Sequence, residues 1–164
     1  TGDLLFVDRL TYNFSPPKVG QGFVFHTRQI PDIGVDQYYI KRLVGGPGDT
    51  LEVLRPAESL SKDGNFEQNE SNSGLLFRNG QPIDGAEAFK KNATKDGLYP
   101  GYTATGLLGF GDVLHVPENK FFAMGDNSPN SSDGRFWGFV PDKEVVGRPL
   151  FIYYPLTSRW GPAK

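Results

Sequence analysis

Apolar positions along the chain come in short runs rich in β-branched and aromatic residues, each closed by a cluster of Gly, Pro, Asn or Asp. That pattern predicts strands, because such side chains pack on a pleated surface and turn residues interrupt it. Strands are expected at Asp3 to Tyr12 (with mixed alternation), Phe23 to Arg28, Tyr38 to Val44 and Thr50 to Leu54. Loops are expected at Asn13 to Gly22, which carries two prolines, and at Gln29 to Asp36. A polar stretch, Arg55 to Ser73, reads as loop or insertion. Leu75 to Arg78 then leads into Asn79-Gly80 and Gln81 to Ile83, and Asn-Gly between two such runs predicts a tight hairpin because both residues accept positive φ. Asp84 to Thr94 predicts one short helix, and Asp96 to Gly111 reads as glycine-rich and irregular. Patterning returns at Asp112 to Val116, with a turn at Pro117 to Lys120, a strand at Phe121 to Met124, a long turn at Gly125 to Gly134 and a closing strand at Val145 to Leu156.

Two well-patterned ends thus flank a variable middle. The expectation is an all-β fold of mainly antiparallel sheets, with residues 1–54 plus 112–164 forming one core domain and residues 55–111 an inserted, β-rich cap module. The 164 residues suit this, since a chain of that length can bury roughly 70% of its unfolded surface without staples. The 21 glycines and 13 prolines supply the turns. Net charge is −2 and no basic stretch exceeds two residues, which argues against nucleic acid as a partner. There is no cysteine, so disulfides and thiolate metal sites are excluded. His26 and His115 lie far apart in sequence, each in an alternating strand pattern, and no metal or cofactor is expected. No apolar run approaches the roughly 20 residues of a membrane-spanning helix, and no secretory apolar segment is visible. The chain begins at Thr1 rather than methionine and is read as an excised piece.

Lys41 sits in the run YYIKRLVGGPGD, Tyr38 to Asp49, flanked by Tyr39, Ile40, Leu43 and Val44. A lysine held among apolar groups has its charged form disfavoured and can serve as a general base near neutral pH. The plainer alternative is a strand lysine whose stem covers apolar surface while its ammonium reaches water. The second dense constellation is GDNSPNSSDGRFWG, Gly125 to Gly138. Asp126 and Asn127 can bond their own backbone in tight turns, and an Asp133–Arg135 pair could fix the loop. This stretch is either a long polar turn anchored by Trp137 or a functional loop on a rigid scaffold.

Three stretches stand in order: GDLLFVDR (Gly2 to Arg9), YIKRLVGGPGD (Tyr39 to Asp49) and GDNSPNSSDGRFWGFV (Gly125 to Val140), followed by VVGR (Val145 to Arg148). Jointly they resemble the bacterial type I signal peptidases, membrane-anchored serine proteases of the serine–lysine type. The resemblance covers both ends of the chain, and the middle matches only in kind, as a variable insertion with an Asn-Gly hairpin. It implies that Lys41 is the general base and that Ser131 bonds and orients it. It implies that Asp126, Asp133 and Arg135 brace the site and that Arg42 joins that charge cluster. Tyr39 and Ile40 fall where the family's strand pairs with substrate. The implied substrates are signal peptides of preproteins, cut at the extracytoplasmic face of the cell membrane, with no cofactor. Leu4, Phe6, Tyr153 and Trp160 are candidates for contact with the lipid surface, or for ordinary packing.

One departure is serious. The family's nucleophilic serine lies in an S-M-x-P-T run a few residues before the first box, and here that box begins at Gly2. The nucleophile is therefore expected upstream of Thr1, and the chain alone is expected to be inactive. Two other readings stay open. One is a non-catalytic relative that binds extended segments in surface-structure assembly. The other is an unrelated β-sandwich that binds carbohydrate through exposed Tyr99, Tyr102 and Trp160.

Overall fold

The computed structural model describes residues 4–55, 72–97, 99–154 and 161–163. Among them the strands are β1 (Leu4–Asp8), β2 (Gly22–His26), β3 (Tyr38–Gly45), β4 (Thr50–Leu54), β5 (Ser73–Arg78) and β6 (Gln81–Pro82). After helix α1 (Glu87–Thr94) come β7 (Tyr102–Thr103), β8 (Leu114–His115), β9 (Lys120–Met124), helix α2 (Gly134–Trp137), β10 (Val140–Pro141), β11 (Val145–Tyr154) and β12 (Gly161–Pro162). The fold is all-β in class, and every pairing between the described strands is antiparallel.

The described strands form two sheets. The larger runs β1-β11-β2-β3-β9-β10 with β12 beside β11, and the smaller runs β6-β5-β4-β8 with β7 on β5. The smaller sheet draws strands from both sides of the variable middle, since β4 and β8 pair with each other and β4 also pairs with β5.

Burial on two faces explains the unbroken apolar runs. In β9, Phe121 and Ala123 join a core with Phe23, Phe25, Ile30, Leu43, Trp137 and Val140. The intervening Phe122 and Met124 join a second core with Val44, Leu51, Val53, Leu76, Phe89, Tyr102, Leu108 and Val116. Successive side chains of a strand point to opposite faces, so a strand between two cores must be apolar throughout. β3 alternates likewise, with Leu43 in the first core and Val44 in the second.

Several expected elements are shorter than their patterns. The strand expected through Tyr12 ends at Asp8, whose carboxylate accepts the N–H groups of Leu10 (2.9 Å) and Thr11 (3.1 Å) and turns the chain into a 3₁₀ turn, Thr11–Asn13. The Asp112 to Val116 run contributes only Leu114–His115, because Asp112 closes a turn by accepting from Gly109 N at 2.9 Å. The stretch read as irregular, Asp96 to Gly111, contains β7, where Thr103 and Tyr102 pair with Ser73 and Gly74. The Asn-Gly hairpin forms with φ of 52° at Asn79 and 73° at Gly80. The last strand is described to Tyr154, and Pro155, Leu156 and Trp160 lie outside the described residues. No helix among the described residues is long and apolar enough to cross a membrane.

Candidate functional site

Lys41 stands on β3, paired with Phe23 of β2. Its face of the strand also carries Tyr39 and Leu43, both packed into the first core. The pleat sends Arg42 to the other face. β3 pairs with β2 over Tyr38 to Arg42 but with β9 only over Arg42 to Gly45. On the β9 side, therefore, no described strand pairs with Tyr38 to Lys41, and the turn after Met124 faces that open edge.

Ser131 comes out of this turn toward the lysine. Lys41 Nζ donates to Ser131 Oγ at 3.0 Å, and the Tyr39 ring centroid lies 5.9 Å from the same nitrogen. The lysine is pushed below its ordinary value, first by burial; Asp133 opposes this, Arg135 adds to it and Asp126 opposes it. A partly desolvated amine loses the hydration that favours its charge, which is why burial leads.

Gly125 makes this contact sterically available. A Cβ at Gly125 would stand 2.1 Å from Ser131 Oγ and 3.6 Å from Lys41 Nζ. Any side chain there would occupy the place that Ser131 now fills.

Behind Ser131 lies an enclosed ion pair. Asp133 and Arg135 are 0% and 1% exposed. Asp133 Oδ1 accepts from Arg135 N at 3.2 Å and Arg135 Nε at 2.8 Å, and Oδ2 accepts from Arg135 Nη2 at 2.8 Å and Gly125 N at 3.0 Å. Asp133 also caps α2. The guanidinium reaches further, to Thr103 O (2.9 Å), Ser128 Oγ (2.8 Å) and Ser128 O (2.6 Å). A buried pair is tolerable only when its remaining donors and acceptors are bonded, and here they are.

A second pair flanks the first. Arg42 Nε and Nη2 donate to Asp126 at 2.6 and 2.7 Å, and Arg42 Nη1 donates to Gly20 O at 2.7 Å. Its hydrogen bonding to the Asp126 carboxylate pushes Arg42 above its ordinary value, against burial. Lys41, Arg42, Asp126, Ser131, Asp133 and Arg135 thus form one cluster.

Tyr39 is half-buried and Ile40 is 45% exposed on the open edge. Trp137 is buried, its ring 5.6 Å from that of Phe25 and tilted 49° to it. Sequence reasoning missed Gly125, Ser128, Thr103 and Asn92. Asn92 carried the one available signal, a polar residue at a position whose helical spacing shares a face with Ala88 and Phe89. The carbohydrate reading is corrected at Tyr102. That ring is 2% exposed and belongs to the second core, so it offers no platform. Tyr99 is half-buried with the Lys91 ammonium 5.5 Å from its ring, and Trp160 lies outside the described residues. His26 and His115 stand in different sheets.

Comparison with known proteins agrees with the motifs. The probable signal peptidase I-1 of Synechocystis is 33% identical over 163 residues, covering 98% of this chain and 66% of that protein. The signal peptidase I of Leptolyngbya laminosa is 29% identical, covering 94% of this chain and 62% of that protein. The signal peptidase I of Aquifex aeolicus is 29% identical, covering 93% of this chain and 69% of that protein. The chain thus spans about two thirds of the length of these relatives. The family model described as signal peptidase, peptidase S26 matches residues 1–154, and the chain belongs to that family.

Proposed function

We propose that this chain is the scaffold and base of a serine endopeptidase that removes N-terminal signal peptides from secreted preproteins. Lys41 is the general base, Ser131 orients it, and Asp126, Asp133, Arg135 and Arg42 brace the turn. The nucleophile is a serine hydroxyl presented to the Lys41 amine. The observation that carries this reading is the hydrogen bond of the half-buried Lys41 amine to Ser131, beside an edge of β3 that no described strand covers.

The chemistry follows from that arrangement. An uncharged amine takes the serine hydroxyl proton as the oxygen attacks the peptide carbonyl, and the resulting ammonium returns a proton to the leaving amine. Burial favours the uncharged state; Ser131 holds the nitrogen in one direction and accepts its N–H, leaving the lone pair free. The substrate binds extended as an added strand along Tyr38 to Lys41, with backbone hydrogen bonds giving affinity and Tyr39 and Ile40 shaping the pockets.

The reaction takes place at the extracytoplasmic membrane surface. Leu4, Phe6, Leu150 and Tyr153 are all at least 41% exposed on β1 and β11, with the Phe6 and Tyr153 rings 4.8 Å apart. A cluster of exposed aromatic and aliphatic side chains on one strand pair suits the bilayer interface.

The test is cleavage of a preprotein by the full-length protein, with the new N-terminus sequenced. Cleavage after a signal peptide, lost by about 10²–10⁴-fold in Lys41→Ala, is the expected result. Full activity in Lys41→Ala would remove the base from this reading. Binding of the preprotein without cleavage would favour a non-catalytic relative.

A further inference from the structure

The turn that carries Ser131 is held from the smaller sheet as well as by its own ion pairs. Two polar side chains outside the motif-matched set make those contacts. Ser128 is 2% exposed, and its Oγ accepts from Arg135 Nη1 at 2.8 Å and from Thr103 N of β7 at 2.9 Å. Arg135 Nη1 in turn donates to Thr103 O, so β7 and the turn exchange a donor and an acceptor around one hydroxyl. Asn92 is fully buried on α1 beside Ala88 and Phe89. Its Nδ2 donates to Asp126 O and to Ala88 O, each at 3.1 Å.

Burying a polar side chain on an apolar helix face is costly unless the group is bonded. Asn92 meets that cost at its amide nitrogen, by bonds to the backbone of the turn and of α1. The contacts run inward by short steps. Ser128 fixes Arg135, Arg135 fixes Asp133, and Asp133 takes the N–H of Gly125, the residue packed against Ser131 Oγ. Asn92 holds the carbonyl of Asp126, whose carboxylate holds Arg42, the neighbour of Lys41.

We propose that Ser128 and Asn92 are positioning residues through which the smaller sheet and α1 set the placement of Ser131 against the Lys41 amine. The inserted middle of the chain thereby governs the base from behind. The charged groups acting on that amine are Asp133, Arg135 and Asp126 of the turn, with the Tyr39 ring of β3 beside it. Burial is the largest of these influences and, with Arg135, outweighs the two carboxylates. A turn released from the smaller sheet admits water to the amine and removes that dominant influence.

Carbon-13 NMR of the chain labelled at lysine Cε reads this directly, with the Lys41 signal assigned through Lys41→Arg. Ser128→Ala and Asn92→Leu are each expected to move the Lys41 titration midpoint upward, toward an ordinary lysine. Ser128→Thr, which keeps the hydroxyl, is expected to restore much of the parent midpoint. Should Ser128→Ala fail to fold, Asn92→Leu decides by the same readout. A folded variant of either kind with an unmoved Lys41 midpoint overturns the proposal, since a merely structural role changes stability and leaves the titration where it was. The proposal rests on the reading of Lys41 as base only for what the placement serves. Undiminished cleavage by Lys41→Ala would sink that reading and leave the titration result to decide the coupling.

Discussion

Replacing Asp133 by asparagine alters a single atom at the most enclosed polar point of the molecule. Both members of the Asp133–Arg135 pair have side chains that are 0% exposed. The carboxylate takes four N–H donors, from Arg135 N, Nε and Nη2 and from Gly125 N. Asparagine keeps one acceptor oxygen and turns the other into a donor, which then faces donors at about hydrogen-bond distance. The guanidinium is left as a buried cation without its counter-charge. Breaking a buried pair from one side costs about 3–5 kcal/mol. That is a large share of the roughly 5–15 kcal/mol by which a domain is stable. For a chain of this size it corresponds to a drop in Tm of about 6–20 °C. Thermal and urea denaturation followed by circular dichroism measure it. A double variant, Asp133→Leu with Arg135→Met, should lose less than Asp133→Asn alone, because it removes the stranded charge. If Asp133→Asn unfolds within about 1 kcal/mol of the parent, the pair is not the brace described above.

Three further outcomes follow from local geometry. Gly125→Ala places a Cβ 2.1 Å from Ser131 Oγ, so Ser131 must move; we expect a cost of about 1–3 kcal/mol by denaturation, with preprotein cleavage by the full-length protein impaired beyond that loss of stability. Asp49 is drawn below the ordinary carboxylate value of 3.8: burial raises it, but hydrogen bonds from Arg78, Asn79 and Gly46 outweigh burial. Its contribution is therefore present above that pH and lost as pH falls through the lower folded value, and the stability gap between the parent and Asp49→Asn should close on acidification. Lys41 is depressed from 10.5 by burial, so between its folded value and 10.5 the unfolded chain binds more protons and stability rises with pH. Lys41→Met should accordingly be more stable than the parent at neutral pH, with the gain fading as pH approaches that of an ordinary lysine, as denaturation across a pH series will show.

The strands were legible because apolar alternation and turn residues act locally. Tyr38 to Val44 and Phe121 to Met124 read as strands from composition alone, and the Asn79-Gly80 hairpin follows from two residues that accept positive φ. What escaped was set by contacts distant in sequence. β7 is two residues long and exists because Ser73 and Gly74 of β5 offer an edge to it. Its glycine-rich surroundings conceal it. Tyr102 looked like an exposed ring because nothing nearby in sequence announces the core that encloses it. Within the site, the motif boxes marked Lys41, Ser131, Asp133 and Arg135, whereas Ser128 was invisible and Asn92 showed only as a polar residue on the apolar face of a short helix. A serine in a polar turn and an asparagine in a short helix acquire their meaning only when β7 and the turn come together. Gly125 likewise looked like ordinary punctuation until the Ser131 hydroxyl was found where its Cβ would lie.

The most direct measurement is the protonation of one amine. Carbon-13 NMR titration of Lys41 Cε in the parent chain should give a midpoint clearly below 10.5 and below those of the exposed lysines, and Ser131→Ala should move that midpoint. A Lys41 that titrates together with the exposed lysines, indifferent to residue 131, would contradict the account.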